Sequence, residues 1–205
     1  MASRPAEARL AARVAGMLFR PARTLEAIEA EPTDPRGLYT GYLIPLAGLA
    51  AICGMIGVSL FGYGVGDIRV QSGLATTLIE GLARFLLTLV SAGLVASAIA
   101  LVAPGFGGRR DFGQALKLVA HAGTAFWLAG VFGLVPNLGL VAGMLGALHG
   151  LYALFLGLPR LMKVRPEAAL SCFAVCLAII VLTALAADAL AGRAADLGEP
   201  LWMLS

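Results

Sequence analysis

Five long apolar stretches make up most of this chain, and each is about as long as a bilayer is thick. A helix needs roughly 20 apolar residues to cross a hydrocarbon core of about 30 Å. The stretches cover residues 41–62, 78–103, 115–135, 138–158 and 169–190. Lipid offers no hydrogen-bond partners to backbone groups, and a β-barrel would show short alternating segments, so the stretches are predicted to be helices. The expected fold is all-α: a polytopic membrane protein with five transmembrane helices.

The composition agrees with a lipid-embedded fold. Hydrophobic residues make up 60% of the chain and charged residues only 13%, whereas about a quarter of a soluble domain is charged. Few polar residues are therefore left to build a site, and activity depends on sites rather than on folds.

The basic residues indicate an orientation. All but three of the fifteen Lys and Arg residues lie before the first stretch, after the second or after the fourth. These three loops face the same side of the membrane when five helices cross it. The positive-inside rule then places the N-terminus in the cytoplasm and the C-terminus outside. The basic residues are Arg4, Arg9, Arg13, Arg20, Arg23, Arg36, Arg109, Arg110, Lys117, Arg160, Lys163 and Arg165, and the opposite side has Arg69, Arg84 and Arg193.

The same residues explain the net charge of +3. They orient the helices against anionic lipid, so membrane lipid and not nucleic acid is the expected partner. No signal peptide is expected, because the first 40 residues contain no uninterrupted apolar region followed by a cleavage site. Cys53, Cys172 and Cys176 lie within predicted spans, and an odd, buried set is typical of packing residues rather than disulfides.

The chain divides into three predicted parts: a cytoplasmic segment (1–40), the five-span domain (41–190) and a short extracytoplasmic tail (191–205). In the first part, Pro21 separates two amphipathic helices, and Pro32 and Pro35 end the second. The segment is expected to lie on the inner leaflet. It could cap the cytoplasmic ends of the spans or dock a protein partner. The apolar faces consist of Leu10, Val14, Met17 and Leu18 in the first helix and Leu25 and Ile28 in the second.

Four glycines of the fourth span predict close helix packing. Gly139 and Gly143 form one G-x-x-x-G pattern, and Gly146 and Gly150 form a second. Small residues let helix backbones approach each other in lipid, where the hydrophobic drive between helices is absent. The contact could lie within one chain or between two copies, so a homo-oligomer stays open.

Six ionisable residues in or near the spans are candidate functional residues, because charge is costly inside a membrane. Glu80 and Arg84 are spaced for a pair on one helix face, and Asp188 is expected at the same depth. They predict an ion cluster that fixes the outer helix ends, with a functional role as the alternative. Lys117 and His121 lie one turn apart in the third span, where Lys117 can extend to the headgroups. His149 falls near the middle of the fourth span and needs a partner, either a hydroxyl or carbonyl group or a transported proton or ion.

No catalytic, cofactor-binding or metal-binding residues are predicted. The chain has no H-E-x-x-H, no G-x-S-x-G and no Walker loop. A zinc site would require His121, His149, Cys172 and Cys176 to converge, and nothing in their spacing requires it. An enzyme, which would need a reactive buried group, is therefore the least supported function class.

Several segments taken in order resemble a known family. They are Pro21, Thr24, Leu25, Ile28, Glu31 and Pro32, then 38–46; 114–120 with Trp127, Ala129, Gly130, Pro136, Leu138 and Gly139; and 150–152 with 156–159 and 161–163. The chain is similar over residues 15–185 to bacterial members of the Yip family, the Ypt/Rab-interacting membrane proteins. The resemblance implies five spans and a cytoplasmic N-terminal region, in a bacterial inner (plasma) membrane. In eukaryotic members it also implies association with Rab-type GTPases, a role not transferred to a bacterial chain.

Two function classes remain in view. The first is a non-enzymatic adaptor or membrane organiser that binds a protein partner, through residues 1–40, or lipid. The alternative is a small transporter or channel with a path near His149, which could also use His121 and Asp188.

Overall fold

The computed structural model describes residues 6–65, 68–70, 73–135 and 138–196. Within these ranges, five helical segments are long and apolar enough to cross a membrane. They are Pro35–Phe61, Leu74–Phe106, Phe112–Leu134, Leu138–Leu161 and Pro166–Ala195, here called the first to fifth spans. The predicted five-span helical fold is confirmed. The helices extend beyond the apolar stretches, since the first begins at Pro35 and the fifth continues to Ala195.

Several spans are assembled from shorter elements. The helices are α1 (Ala6–Phe19), α2 (Pro21–Ala30), α3 (Pro35–Leu38), α4 (Ile44–Phe61), α5 (Leu74–Val102), α6 (Phe112–Ala122), α7 (Thr124–Ala129), α8 (Leu138–Leu161) and α9 (Ala169–Asp196). A π-helical turn, Tyr39–Leu43, joins α3 to α4, and 3-10 turns cover Ala103–Phe106, Gly130–Leu134 and Pro166–Ala168.

A short antiparallel strand pair lies between the first and second spans. Strands β1 (Tyr63–Val65) and β2 (Ile68–Val70) pair with Tyr63 opposite Val70 and Val65 opposite Ile68. The sequence analysis did not predict this pair, because three-residue strands are too short to show an alternating pattern.

The third span is the centre of the bundle. In its most apolar window 61% of the residues are buried, against 17–28% in the other four spans. It packs against the first, second and fourth spans. It is also interrupted, because α6 gives way to α7 at Gly123, and α7 to a 3-10 turn at Gly130. The most enclosed helix is therefore also the least regular one.

Helices α1 and α2 form an antiparallel pair, here called the N-terminal hairpin. Pro21 occupies the start of α2, where its missing N–H costs nothing. Met17, Leu25 and Ile28 are almost completely buried and join the core formed by the second, third, fourth and fifth spans. These three residues of the predicted apolar faces are therefore covered by protein rather than by lipid. The hairpin caps one end of the bundle and runs along α8.

The glycines of the fourth span approach the third span at two places. A methyl group added at Gly146 would lie 2.7 Å from the carbonyl oxygen of Ala125, and one at Gly150 would lie 2.8 Å from that of Ala122. One added at Gly139 would lie 3.1 Å from the Cα of Gly133. These three glycines therefore face a backbone of the same chain.

Gly143 corrects the pattern predicted for the first glycine pair. A methyl group added there would meet nothing within 4 Å. Gly143 lies between the two contact regions along α8, and it has no packing role within the described part of the chain.

We expect Gly150→Leu to destabilise the fold by about 1–3 kcal/mol, because a large side chain would be forced into a backbone contact. The matched variant Gly143→Leu should leave stability nearly unchanged. Unfolding of both proteins in mixed micelles with increasing SDS, followed by circular dichroism, gives the comparison. Equal destabilisation by the two variants would show that Gly143 is packed and that the contact assignment is wrong.

Candidate functional site

Polar side chains gather where the N-terminal hairpin meets the third span. The Lys117 Nζ donates to the carbonyl oxygens of Ile28 at 3.1 Å and Glu31 at 2.5 Å. The Gln114 Nε2 donates to the carbonyl of Glu29 at 3.2 Å. These acceptors are at the C-terminal end of α2, where a helix has carbonyls without partners and a negative dipole end. Lys117 is buried rather than extended to the headgroups, and it acts as a C-terminal cap supplied by another helix.

His149 caps α1 in the same way. Its Nε2 donates to the carbonyl oxygen of Met17 at 3.0 Å. Met17 belongs to the last turn of α1, so this carbonyl also lacks a partner within its own helix. The imidazole ring is half-buried and meets the ring of Tyr152 edge-on, with 6.4 Å between ring centres. The sequence left open whether His149 bonds to a hydroxyl or carbonyl group or handles a transported proton or ion. In the structure its partner is a carbonyl group.

A buried set of hydrogen bonds continues from Lys117 into the third span. The His121 Nδ1 donates to the Lys117 carbonyl at 2.7 Å. The Thr124 hydroxyl donates to the His121 carbonyl at 2.6 Å, and so accepts from the Tyr42 hydroxyl at 2.6 Å. The Tyr42 ring lies against the imidazole at 4.4 Å. Tyr42 thereby ties the first span to the irregular part of the third.

One buried atom of this set has no hydrogen-bond partner among the described residues. It is the Nε2 of His121, whose side chain is 1% exposed. With Nδ1 protonated, the neutral imidazole has an acceptor lone pair at Nε2. Leaving an acceptor unsatisfied in an apolar core is costly, so the ring is a candidate functional group as well as a packing element.

Ion pairs surround the C-terminal end of α2. Glu29 contacts the Lys163 Nζ at 2.7 Å and the Arg109 NH2 at 3.8 Å. Glu26 contacts Arg160 at 3.3 Å. The hydrogen bond from Lys163 lowers the pKa of the Glu29 carboxyl below its ordinary value of 4.5, against the opposing effect of desolvation. Such exposed pairs are screened by solvent and contribute little, so they assist the backbone caps rather than replace them.

Glu80, Arg84 and Asp188 form a second group at the opposite end of the bundle. The Arg84 Nε donates to the Glu80 carboxylate at 3.0 Å, and its NH1 donates to the Asp188 carboxylate at 2.5 Å. These bonds link the second and fifth spans on a surface that is largely exposed. The structure thus separates the six candidate residues into two sets of three, with Lys117, His121 and His149 at the hairpin.

The profile of the Yip1 domain family matches residues 15–187. The chain belongs to this family. The match begins inside α1 and includes the first four spans, most of the fifth and both capping side chains. It confirms the family resemblance predicted from the sequence.

The Yip1 domain chain is similar to a curated bacterial protein. It is 26% identical over 173 residues to "Inner membrane protein YohC" of Escherichia coli strain K12, covering 82% of this chain and 87% of the relative. The protein of the same name from Escherichia coli O6:H1 strain CFT073 gives the same values. No solved structure matches the chain.

The sequence analysis missed several members of the hairpin site. Gln114, Arg13 and Tyr42 were not singled out, and the carbonyl acceptors of Met17, Ile28 and Glu31 give no signal in the side-chain pattern. One feature of the sequence could have indicated the site. Gln114 and Lys117 are spaced so that both lie on one face of α6. Among the residues that the structure describes, no group of three or more His, Cys, Asp or Glu residues could hold a metal ion.

We expect Lys117→Met to loosen the hairpin, because it preserves length and packing but removes the Lys117 donor from the carbonyls of Ile28 and Glu31, which leaves Ile28 with only the Glu31 N–H. Removing a charged hydrogen-bond donor costs about 1.5–3 kcal/mol, which corresponds to roughly a tenfold or greater increase in local opening. Amide hydrogen exchange over residues 21–30, measured by mass spectrometry in lipid nanodiscs, should accelerate accordingly. The control Lys163→Met removes an exposed charge from the same end and should change exchange little. Unchanged exchange in Lys117→Met would contradict the capping assignment.

Acid should weaken the Glu29 contacts with a defined sign. A carboxyl whose folded pKa is lowered stabilises fully above its unfolded pKa, and this contribution disappears as the pH falls through the folded value, which here lies below 4.5. A spin label at position 27, observed by electron paramagnetic resonance, should gain mobility in that acid range. Glu29→Gln should remove this transition, and a transition of the same size in the variant would exclude Glu29 as its origin.

Proposed function

We propose that this Yip1 domain protein is a non-enzymatic adaptor or membrane organiser of the bacterial inner membrane, and that it acts through its N-terminal hairpin. The observation that carries the proposal is an open groove on a hairpin that is fixed to the bundle. The groove has a volume of about 350 Å³ and follows the line where α1 and α2 meet. Its floor is formed by small residues, namely Ala12, Gly16, Thr24 and Ala27.

The shape and chemistry of the groove favour a helical segment of a partner protein. A floor of small residues lets another helix approach closely, as in helix-in-groove recognition. The Arg13–Glu31 ion pair closes one end, and Arg20 and Arg23 lie at the other. Arginine is enriched where proteins contact each other. The groove therefore combines a shape for docking with charges for orientation.

The use of the buried polar groups supports a non-enzymatic role. Lys117 and His149 each hold a helix end of the hairpin, and Tyr42 and Thr124 bond to each other. A nucleophile with an adjacent general base, which covalent catalysis needs, is not found among the described residues of the hairpin site. The polar groups of the site attach the hairpin to the spans.

The basic residues near the hairpin indicate on which side of the membrane the groove lies. The hairpin lies beside Arg109, Lys163 and Arg160, which the positive-inside rule assigns to the cytoplasm. The printed name of the Escherichia coli relative describes an inner membrane protein. Both support a cytoplasmic groove in a bacterial inner membrane, with the C-terminus outside.

The transporter alternative has less support. Transporters use broken helices whose unwound parts surround a substrate, and the third span is broken. Here the breaks are filled by protein. A methyl group added at Gly130 would lie 2.5 Å from the Cβ of Ala50, and one at Gly57 would overlap the carbonyl of Gly133. The first and third spans touch at backbone level where a path would need space.

Native mass spectrometry of the full chain, released from its own membranes in lipid particles, tests the adaptor proposal. We expect a second protein at fixed stoichiometry that is lost from Ala27→Trp, because indole would fill the groove. The matched variant Ala30→Trp adds the same ring to an exposed position of α2 outside the groove and should retain the partner. Loss of the partner from both variants, or a wild-type chain that carries no protein partner, would overturn the proposal. A retained small solute would instead favour transport.

A further inference from the structure

A second opening lies beside the turn of the hairpin, against the fourth span, and it shares Arg20 and Arg23 with the groove. This recess has a volume of about 560 Å³ and lies between the turn that joins α1 to α2 and the middle of α8. Its polar residues are Arg20, Arg23, His149 and Tyr152, and Phe19 lies at its edge. The recess therefore combines basic and aromatic side chains.

The recess carries positive charge that the protein does not neutralise. The glutamates of α2 and of the residue that follows it are engaged elsewhere, Glu26 with Arg160, Glu29 with Lys163 and Glu31 with Arg13. No carboxylate is among the lining residues. Within the described part of the chain, Arg20 and Arg23 make no ion pair. Two guanidinium groups next to one opening thus lack a counter-charge.

The recess lies against the side of the fourth span. The Met17–His149 bond holds the hairpin turn against α8 at this position. Charge beside a membrane-spanning helix is costly unless an opposite charge or water accompanies it. The headgroup of an anionic lipid that packs along α8 would supply the opposite charge.

We propose that the recess binds the phosphate group of an anionic phospholipid. Guanidinium groups match phosphate oxygens in paired, charge-assisted hydrogen bonds, and the Tyr152 hydroxyl adds a donor beside them. The first turn of α2, which starts at Pro21 and has no side-chain cap, also faces this opening and adds to the attraction of an anion. The His149 Nε2 is occupied by Met17, so His149 acts by positioning the hairpin.

The rim of the recess favours a lipid over free phosphate. Phe19 is 81% exposed and Tyr152 is 55% exposed, and both rings lie beside the basic groups. Aromatic rings of this kind favour the membrane interface, where they can contact the part of the acyl chains next to the headgroup. This inference goes beyond the adaptor role, because lipid binding needs no protein partner and would stand if none were found.

Native mass spectrometry of the purified full-length protein tests the proposal with two lipids, phosphatidylglycerol and zwitterionic phosphatidylcholine, added separately. We expect one retained phosphatidylglycerol per chain and no matching retention of phosphatidylcholine. The double variant Arg20→Ala/Arg23→Ala should bind phosphatidylglycerol about tenfold or more weakly, because two charged contacts are lost. The control Arg36→Ala/Arg110→Ala removes the same charge from exposed positions outside the recess and should bind like the wild type.

Three results would overturn the proposal. Equal weakening by both double variants would indicate general electrostatic attraction, and equal retention of the two lipids would exclude recognition of the anion. Displacement of the lipid by inorganic phosphate at comparable concentration would assign the site to free phosphate. If the alanine variant fails to fold by circular dichroism, Arg20→Lys/Arg23→Lys decides. It preserves the charge but not the paired hydrogen bonds, so severalfold weaker binding is expected and unchanged binding would count against the site.

Discussion

The capping of α1 and α2 by side chains of the spans is the interaction on which the N-terminal part of the structure depends. Each helix ends with carbonyl groups that have no partner in the helix itself. Lys117 and His149 supply donors to these carbonyls from the third and fourth spans. The benefit is mutual. A lysine enclosed by protein needs acceptors, and the negative end of α2 provides them, so neither group is stable in its place without the other.

The caps in turn require the spans to be close together. His149 reaches Met17 because α8 lies against the third span through Gly146 and Gly150, where a side chain on either would meet a backbone carbonyl. Small residues are what allow such proximity in lipid, since no hydrophobic drive brings the helices together. The irregular third span is stabilised by the Tyr42–Thr124 bond and by the Lys117–His121 contact. Packing and polar bonding thus determine the site jointly.

The sequence predicted those features that depend on local spacing. Five apolar lengths define the spans, the four-residue interval between Glu80 and Arg84 places both on one face, and Gly146 and Gly150 are spaced for close packing. The hairpin contacts were beyond such reasoning. The Lys117–Ile28 bond joins residues 89 positions apart and the His149–Met17 bond joins residues 132 apart, and both acceptors are backbone carbonyls, which every residue possesses. Gly143 shows the same limit, because its spacing does not reveal whether another helix lies within reach.

The two surfaces proposed for binding share a physical origin. Fixing the hairpin turn halfway along α8 leaves the glutamates near the end of the bundle, where Lys163 and Arg160 neutralise them, and keeps Arg20 and Arg23 away from every one of these pairs. The same docking buries Met17, Leu25 and Ile28 and turns the small residues of α1 and α2 outward. The hairpin therefore presents a groove of small residues between α1 and α2 and a basic recess beside α8, and Arg20 and Arg23 line both. Both exist only while the two caps hold, which assigns Lys117 and His149 a positioning role in whatever the hairpin binds.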